Sequence, residues 1–91
     1  MLNISTLISM QVSPNPVKEV TTIRFTLEQE GQANLAIYNL NGQVVGQLCS
    51  EKLSKGTHEF RWSCYGMAPG IYMVRLQSGS GVTTKKVILA D

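Results

Sequence analysis

The 91 residues, 43% hydrophobic and 15% charged, are enough for one globular domain with a single core. A net charge of +2, from eight basic and six acidic residues, is too small for a nucleic-acid-binding surface. The longest apolar run is far below the ~20 residues of a membrane-spanning helix, and the first ten residues lack the Lys or Arg of a secretory leader. We therefore expect the chain to be the tail of a longer protein, with a chain that stays where it is made as the alternative.

Short runs with alternating apolar and polar side chains follow one another along the chain, and Gly, Pro and Asn residues separate them. Ile23, Phe25 and Leu27 share one face of such a run, and Asn41-Gly42 is a strong signal for a hairpin. No stretch has apolar residues at helical spacing behind a capping residue. The pattern predicts seven strands, at residues 8–12, 20–27, 33–38, 43–48, 57–62, 70–77 and 82–89, in an all-β antiparallel sandwich.

The inward faces of these strands predict the core. Its expected members are Phe25, Leu35, Ile37, Phe60, Trp62, Tyr72 and Val74. His58 shares a face with Phe60 and Trp62, which is most simply a core cluster rather than a platform for carbohydrate.

Residues for catalysis or metal binding are scarce. His58 is the only histidine and Asp91 the only aspartate, so no Ser-His-Asp set can form, and no metal ligands or cofactor are expected. Cys49 and Cys64 lack zinc-ligand spacing. Free thiols are the simpler interpretation of this pair, and a disulfide is the alternative for an exported chain.

Three short motifs have a structural explanation and leave room for a functional one. Pro14-Asn15-Pro16 fixes two φ angles and removes two backbone donors, which suits a rigid domain boundary. Tyr72 follows Pro69-Gly70 and is predicted to point inward, with its hydroxyl bonded back to the turn. Lys85-Lys86 places one lysine on each face of the last strand, where charge protects an edge strand from pairing with other chains.

The order of these motifs, rather than any one of them, resembles a known family. The relevant segments are Ser13-Pro14-Asn15-Pro16, Thr21 to Leu27, Leu35 to Val45, Leu53 to His58, Trp62, Ala68 to Tyr72 and Lys85-Lys86-Val87. Together they resemble the type A C-terminal sorting domain of the type IX secretion system of Bacteroidetes. The resemblance covers residues 13–91, with residues 1–12 left as a lead-in that contains a weak strand or a linker from a cargo.

The resemblance implies an immunoglobulin-like, non-enzymatic secretion signal. An outer-membrane translocon would recognise it behind an upstream cargo domain, and a sortase-like peptidase would remove it, with the cargo exported through the periplasm to the cell surface or medium. A monomer without nucleic-acid partners is expected. The residues that the resemblance assigns to the sorting signal are Pro14, Asn15, Pro16, Gly70, Tyr72, Lys85, Lys86 and Val87.

The alternative is a small adhesion or ligand-binding module of the fibronectin-III type. Such modules carry their tryptophan early in the chain, whereas only two predicted strands follow Trp62. The order of elements therefore favours the sorting domain.

Overall fold

Seven antiparallel strands make up most of the computed structural model, which describes residues 9–79 and 81–90. The strands are β1 (Ser9–Ser13), β2 (Val20–Leu27), β3 (Gly31–Tyr38), β4 (Val44–Leu53), β5 (Gly56–Ser63), β6 (Gly70–Ser78) and β7 (Gly81–Leu89). None of the described residues belongs to a helix of the length and apolarity needed to cross a membrane. The predicted all-β class is confirmed.

The strands form two sheets that pack face to face. One sheet has the order β1-β2-β5 and the other has the order β4-β3-β6-β7. The chain crosses between the sheets after β2, β4 and β5, as in an immunoglobulin-like sandwich. As a result β1, β4, β5 and β7 are edge strands, and the last strand of the chain lies at the edge of the larger sheet.

Strand β4 is longer than the sequence pattern predicts, ending at Leu53 rather than near residue 48. Its extra part, Ser50 to Lys52, is polar because it lies on an edge strand with water on one side. Two register shifts opposite β3 leave Val45 and Leu48 without Cα partners, and both side chains pack against the core. These bulges interrupt the alternation on which the sequence prediction depended.

The core lies between the two sheets and contains most of the predicted residues. Phe25, Leu35, Ile37, Trp62, Tyr72 and Val74 are buried. Phe60 is only partly buried, as is its neighbour His58, because both lie on the edge strand β5. Phe60 nevertheless stacks on Phe25, with ring centroids 5.9 Å apart.

Both cysteines are buried and unpaired, as the simpler interpretation of the sequence has it. Burial is the main cause of the raised pKa of both the Cys49 and the Cys64 thiol. We expect both thiols to react slowly with a thiol reagent near pH 8 in the native chain and quickly in denaturant.

The same shift sets the direction of a pH effect on stability. The unfolded chain ionises its thiols near the ordinary thiol pKa, before the folded chain does, so the free energy of unfolding should fall as the pH rises through and above that value. A titration with a thiol reagent and unfolding curves at several alkaline pH values would measure both effects. Rapid reaction of the native chain, or a bridged pair, would contradict the prediction.

Candidate functional site

Residues 14–17, which we call the docking segment, lie along the outer edge of β7. Val17 forms a parallel bridge with Leu89. The Val17 amide donates to the Ile88 carbonyl at 2.8 Å, and the Ala90 amide donates to the Val17 carbonyl at 2.7 Å. The segment therefore occupies hydrogen-bonding positions that an edge strand would otherwise leave open.

Asn15 extends this pairing with its side chain. Its Nδ2 donates to the Lys86 carbonyl at 3.0 Å, and its Oδ1 accepts from the Ile88 amide at 2.9 Å. A carboxamide has the same donor and acceptor groups as a peptide unit, so Asn15 takes the place of a neighbouring strand here. Because Lys86 is 71 positions away in sequence, the contact ties the two termini of the domain together.

The docking segment also links the edges of the two sheets. It follows directly on β1, an edge of the three-stranded sheet, and reaches β7, an edge of the four-stranded sheet. The Pro14 carbonyl accepts a 2.9 Å hydrogen bond from the hydroxyl of Thr21, which is fully buried on β2. Pro14 and Pro16 themselves are exposed. The rigid boundary predicted from the sequence thus closes one side of the sandwich.

Tyr72 fixes the turn that leads into β6. Its hydroxyl donates to the Ala68 carbonyl at 2.6 Å, as the sequence predicted, and its ring meets Trp62 edge-on at 5.6 Å between centroids. Gly70 has a φ of 149°, which favours glycine, and pairs with Leu89 of β7. Tyr72 in turn pairs with Val87. These contacts hold the start of β6 against the end of β7.

Lys85 and Lys86 lie on opposite faces of β7, as predicted. Lys85 pairs with Val74 and so occupies a core-side position, yet it is exposed because β7 is an edge strand. Lys86 pairs with Met73 on the solvent side of the sheet. Val87, between Lys86 and Ile88, is fully buried. A charge on the core side of an edge strand hinders the addition of another chain at this point.

The structure brings the eight residues assigned to the sorting signal to one region, composed of the docking segment, the start of β6 and the end of β7. Six of them are exposed: Pro14, Asn15, Pro16, Gly70, Lys85 and Lys86. Tyr72 and Val87 are buried, so they can only position the others. Their part in sorting stays a prediction.

Val17 and Thr21 belong to the same region and were not identified from the sequence. Both are fully buried, and both hold the docking segment in place. For Val17, the one feature of the sequence that could have indicated its role was its position directly after Pro16. Alternation along β2 places Thr21 on the inward face with Ile23 and Phe25, but no local feature predicts the hydrogen bond from its hydroxyl to the Pro14 carbonyl.

The described residues contain no group of three or more His, Cys, Asp or Glu side chains placed to hold a metal ion. The His58 Nε2 lies 2.8 Å from the Ser54 carbonyl, so this side chain has a structural role as a hydrogen-bond partner of the turn before β5.

We expect Asn15→Ala to lower the free energy of unfolding by about 1–2 kcal/mol, because two hydrogen bonds at a partly solvated edge are lost. The Ile88 amide should exchange with solvent much faster in the variant, which hydrogen-exchange NMR would detect. Asn41→Ala is the matched control, since the Asn41 side chain is exposed and has no hydrogen bond among the described residues. Unchanged exchange at Ile88 would contradict the role given to Asn15.

Comparison with known proteins gives one family and one fold. A family model described as the secretion system C-terminal sorting domain matches residues 11–90. No curated protein sequence matches the chain. The crystal structure of dimeric latent PorU from Porphyromonas gingivalis is similar, with a TM-score of 0.63 and 21% identity over 92% of this chain. The chain spans only 9% of the length of that protein, and at this identity the likeness shows the fold alone.

Proposed function

Since the chain belongs to the family of secretion-system C-terminal sorting domains, which serve type IX secretion, we propose that the outer-membrane translocon recognises it as a folded module. Domains of this family are signals rather than enzymes, and they direct export to the cell surface or the extracellular space. The observation that carries the proposal is the docking of Asn15 and Val17 on the end of β7. These contacts form only in the folded domain, and there they hold the exposed residues at the end of β7 in one defined arrangement.

The proposal extends to the partners on either side of the export step. An upstream cargo precedes the domain, travels with it through the periplasm as one monomeric unit, and is released from it by a sortase-like peptidase. The cut lies N-terminal to Ser9 in this proposal. A cut within β1 would split the five-residue strand that pairs with β2 and would expose core at Met10, whereas an earlier cut leaves the sandwich intact.

The experiment is export of a reporter in a type IX-competent bacterium. A reporter with a periplasmic leader and this chain at its C-terminus should reach the surface or medium, and the same reporter without the chain should remain in the periplasm. If the fusion stays in the periplasm while a native cargo is exported, the proposal is wrong and the adhesion module becomes the better interpretation.

A variant that removes both exposed lysines separates recognition from folding. Lys85→Ala combined with Lys86→Ala keeps the buried Val87 and Leu89, and loss of exposed charge usually changes stability by less than ~0.5 kcal/mol. We expect this fusion to fold and to be exported less efficiently than the wild type. Thermal unfolding of the purified chain would confirm that it still folds.

A further inference from the structure

The two sheets present very different surfaces to solvent. The outer face of a sheet means here the side turned away from the core. On the three-stranded sheet the outer face consists largely of hydroxyl and amide side chains, such as Thr22, Thr26 and Gln11. The positive charge of Arg24, on the middle strand of this sheet, is neutralised because its Nε lies 3.1 Å from a Glu59 carboxylate oxygen. This face also carries Arg61 and a depression of about 300 Å³ beside Arg24, but β1, β2 and β5 contribute no exposed large apolar side chain to it.

The outer face of the four-stranded sheet carries exposed apolar side chains. Val44, Ile71, Val82 and Ile88 are each between 38% and 53% exposed. Ile71 and Ile88 are direct partners across β6 and β7, and the neighbouring pair, Tyr72 and Val87, is buried, which places the two isoleucines on the solvent side. Val82 lies beside Gln77 at the far end of the same two strands, and Val44 lies beside Tyr38 on β4. The contiguous apolar contact that this face offers is therefore the isoleucine pair next to Lys86.

The unpaired charge on this face is positive, because Lys52, which lies beside Gln32 on the same side, is neutralised by a Glu30 carboxylate oxygen 3.3 Å away. Arg75 lies with its guanidinium carbon 6.0 Å from the centre of the Tyr38 ring, and Lys86 is one strand away. Neither forms an ion pair among residues 9–79 and 81–90. The one acidic residue in these four strands is Glu51, which pairs with the buried Ala33 and therefore lies on the core side of its strand.

The shape of the face suits a protein side chain. A shallow depression of about 300 Å³ lies beside Arg75 and is also lined by Asn34, Tyr38, Gln47 and Gln77. Amide groups and a guanidinium at such a depression are donors suited to a carboxylate. With strands ~4.8 Å apart and rising ~3.3 Å per residue, the four-stranded face covers about 500 Å². That is the size expected for one side of a transient complex.

We propose that the outer face of the four-stranded sheet, with Lys86 and Arg75 as its charged contacts, docks on a protein of the export machinery whose own surface is apolar and bears carboxylates. This inference rests on the proposed sorting function and names the face that carries it. A membrane surface fits less well, because segments that bind anionic lipid carry clusters of roughly four to eight Lys or Arg side chains, and this face has two unpaired cations. Of the two neighbouring lysines, the proposal places only Lys86 in the contact, because Lys85 lies on the opposite, core side of β7.

Charge reversal on this face, compared with the same reversal outside it, tests the proposal. Lys86→Glu with Arg75→Glu should lower export of an unrelated reporter by ~10-fold or more, because like charges would then face the partner's carboxylates. Lys55→Glu with Arg61→Glu is the matched control: it reverses two exposed cations that lie outside the four-stranded sheet, and it should leave export within about twofold of wild type. Circular dichroism and thermal unfolding of each purified chain would verify that the fold is kept.

The outcomes separate this inference from the sorting function itself. If the wild-type fusion is exported and the Arg75-Lys86 reversal is exported equally well, the docking face is wrong and the function stands. If the wild-type fusion is not exported, the proposed sorting function is wrong, and the docking face that rests on it is wrong as well. Since the reporter is unrelated to any natural cargo, a defect cannot come from lost packing against a cargo domain. A dimer dissolved by the reversal, or wild-type binding to anionic vesicles that the reversal abolishes, would overturn the assignment to a protein partner.

Discussion

Replacing Trp62 with alanine is expected to lower the free energy of unfolding by about 3–5 kcal/mol. Trp62 is 3% exposed and packs edge-on against Tyr72, at 5.6 Å between ring centroids. Its Nε1 also lies against the backbone of Gly46, where an added Cβ would be 3.3 Å away. Removing the indole would leave a cavity between β4, β5 and β6. Small domains have only about 5–15 kcal/mol of stability, so the variant should lose a large share of it and unfold at a much lower temperature.

Urea denaturation and thermal unfolding would measure this effect. Tyr65→Ala is the control, because Tyr65 is 83% exposed, and its loss should change the free energy of unfolding by no more than about 0.5 kcal/mol. A Trp62→Ala melting temperature within a degree or two of wild type would show that the indole does not fill the space assigned to it.

Deleting residues 85–91 is expected to abolish export altogether. The deletion removes two buried side chains, Val87 and Leu89, together with the strand that pairs with Gly70 to Val74. It also removes every β7 group to which Asn15 and Val17 bind. The docking segment and the start of β6 both lose their partner, so we expect the domain to unfold as well as to lose its exposed lysines.

Export of the reporter and circular dichroism of the purified chain should therefore fail together in this deletion. Comparison with the Lys85→Ala, Lys86→Ala variant distinguishes the two causes, since that variant keeps the strand. Normal export of the seven-residue deletion would mean that the sorting signal lies elsewhere in the chain.

The relation of the docking segment to β7 also explains why short motifs far apart in the sequence act as one unit. Asn15 and the Lys86 to Ile88 stretch are adjacent only in the folded sandwich, where one side-chain amide takes the place of a strand. Substitutions at either end should therefore weaken the same hydrogen bonds. For the same reason a stability measurement must accompany every export measurement in this region.

Local features were predictable from the sequence because they depend on neighbouring residues. Alternation along a strand decides which side chains share a face, so the inward positions of Trp62 and Tyr72 and the opposite faces of Lys85 and Lys86 followed from it. The turn at Asn41-Gly42 and the hydrogen bond from Tyr72 to the Ala68 carbonyl followed from turn chemistry within a few residues.

Only the tertiary structure decided which strands are neighbours and which lie at an edge. Every strand offers the same backbone donors and acceptors, so the sequence of one strand does not name its partner. The partial exposure of Phe60, the added length of β4 and the pairing of Asn15 with β7 all depend on that choice. So does the apolar, cationic outer face, because Tyr38, Arg75 and Lys86 meet there only once β3, β6 and β7 lie side by side.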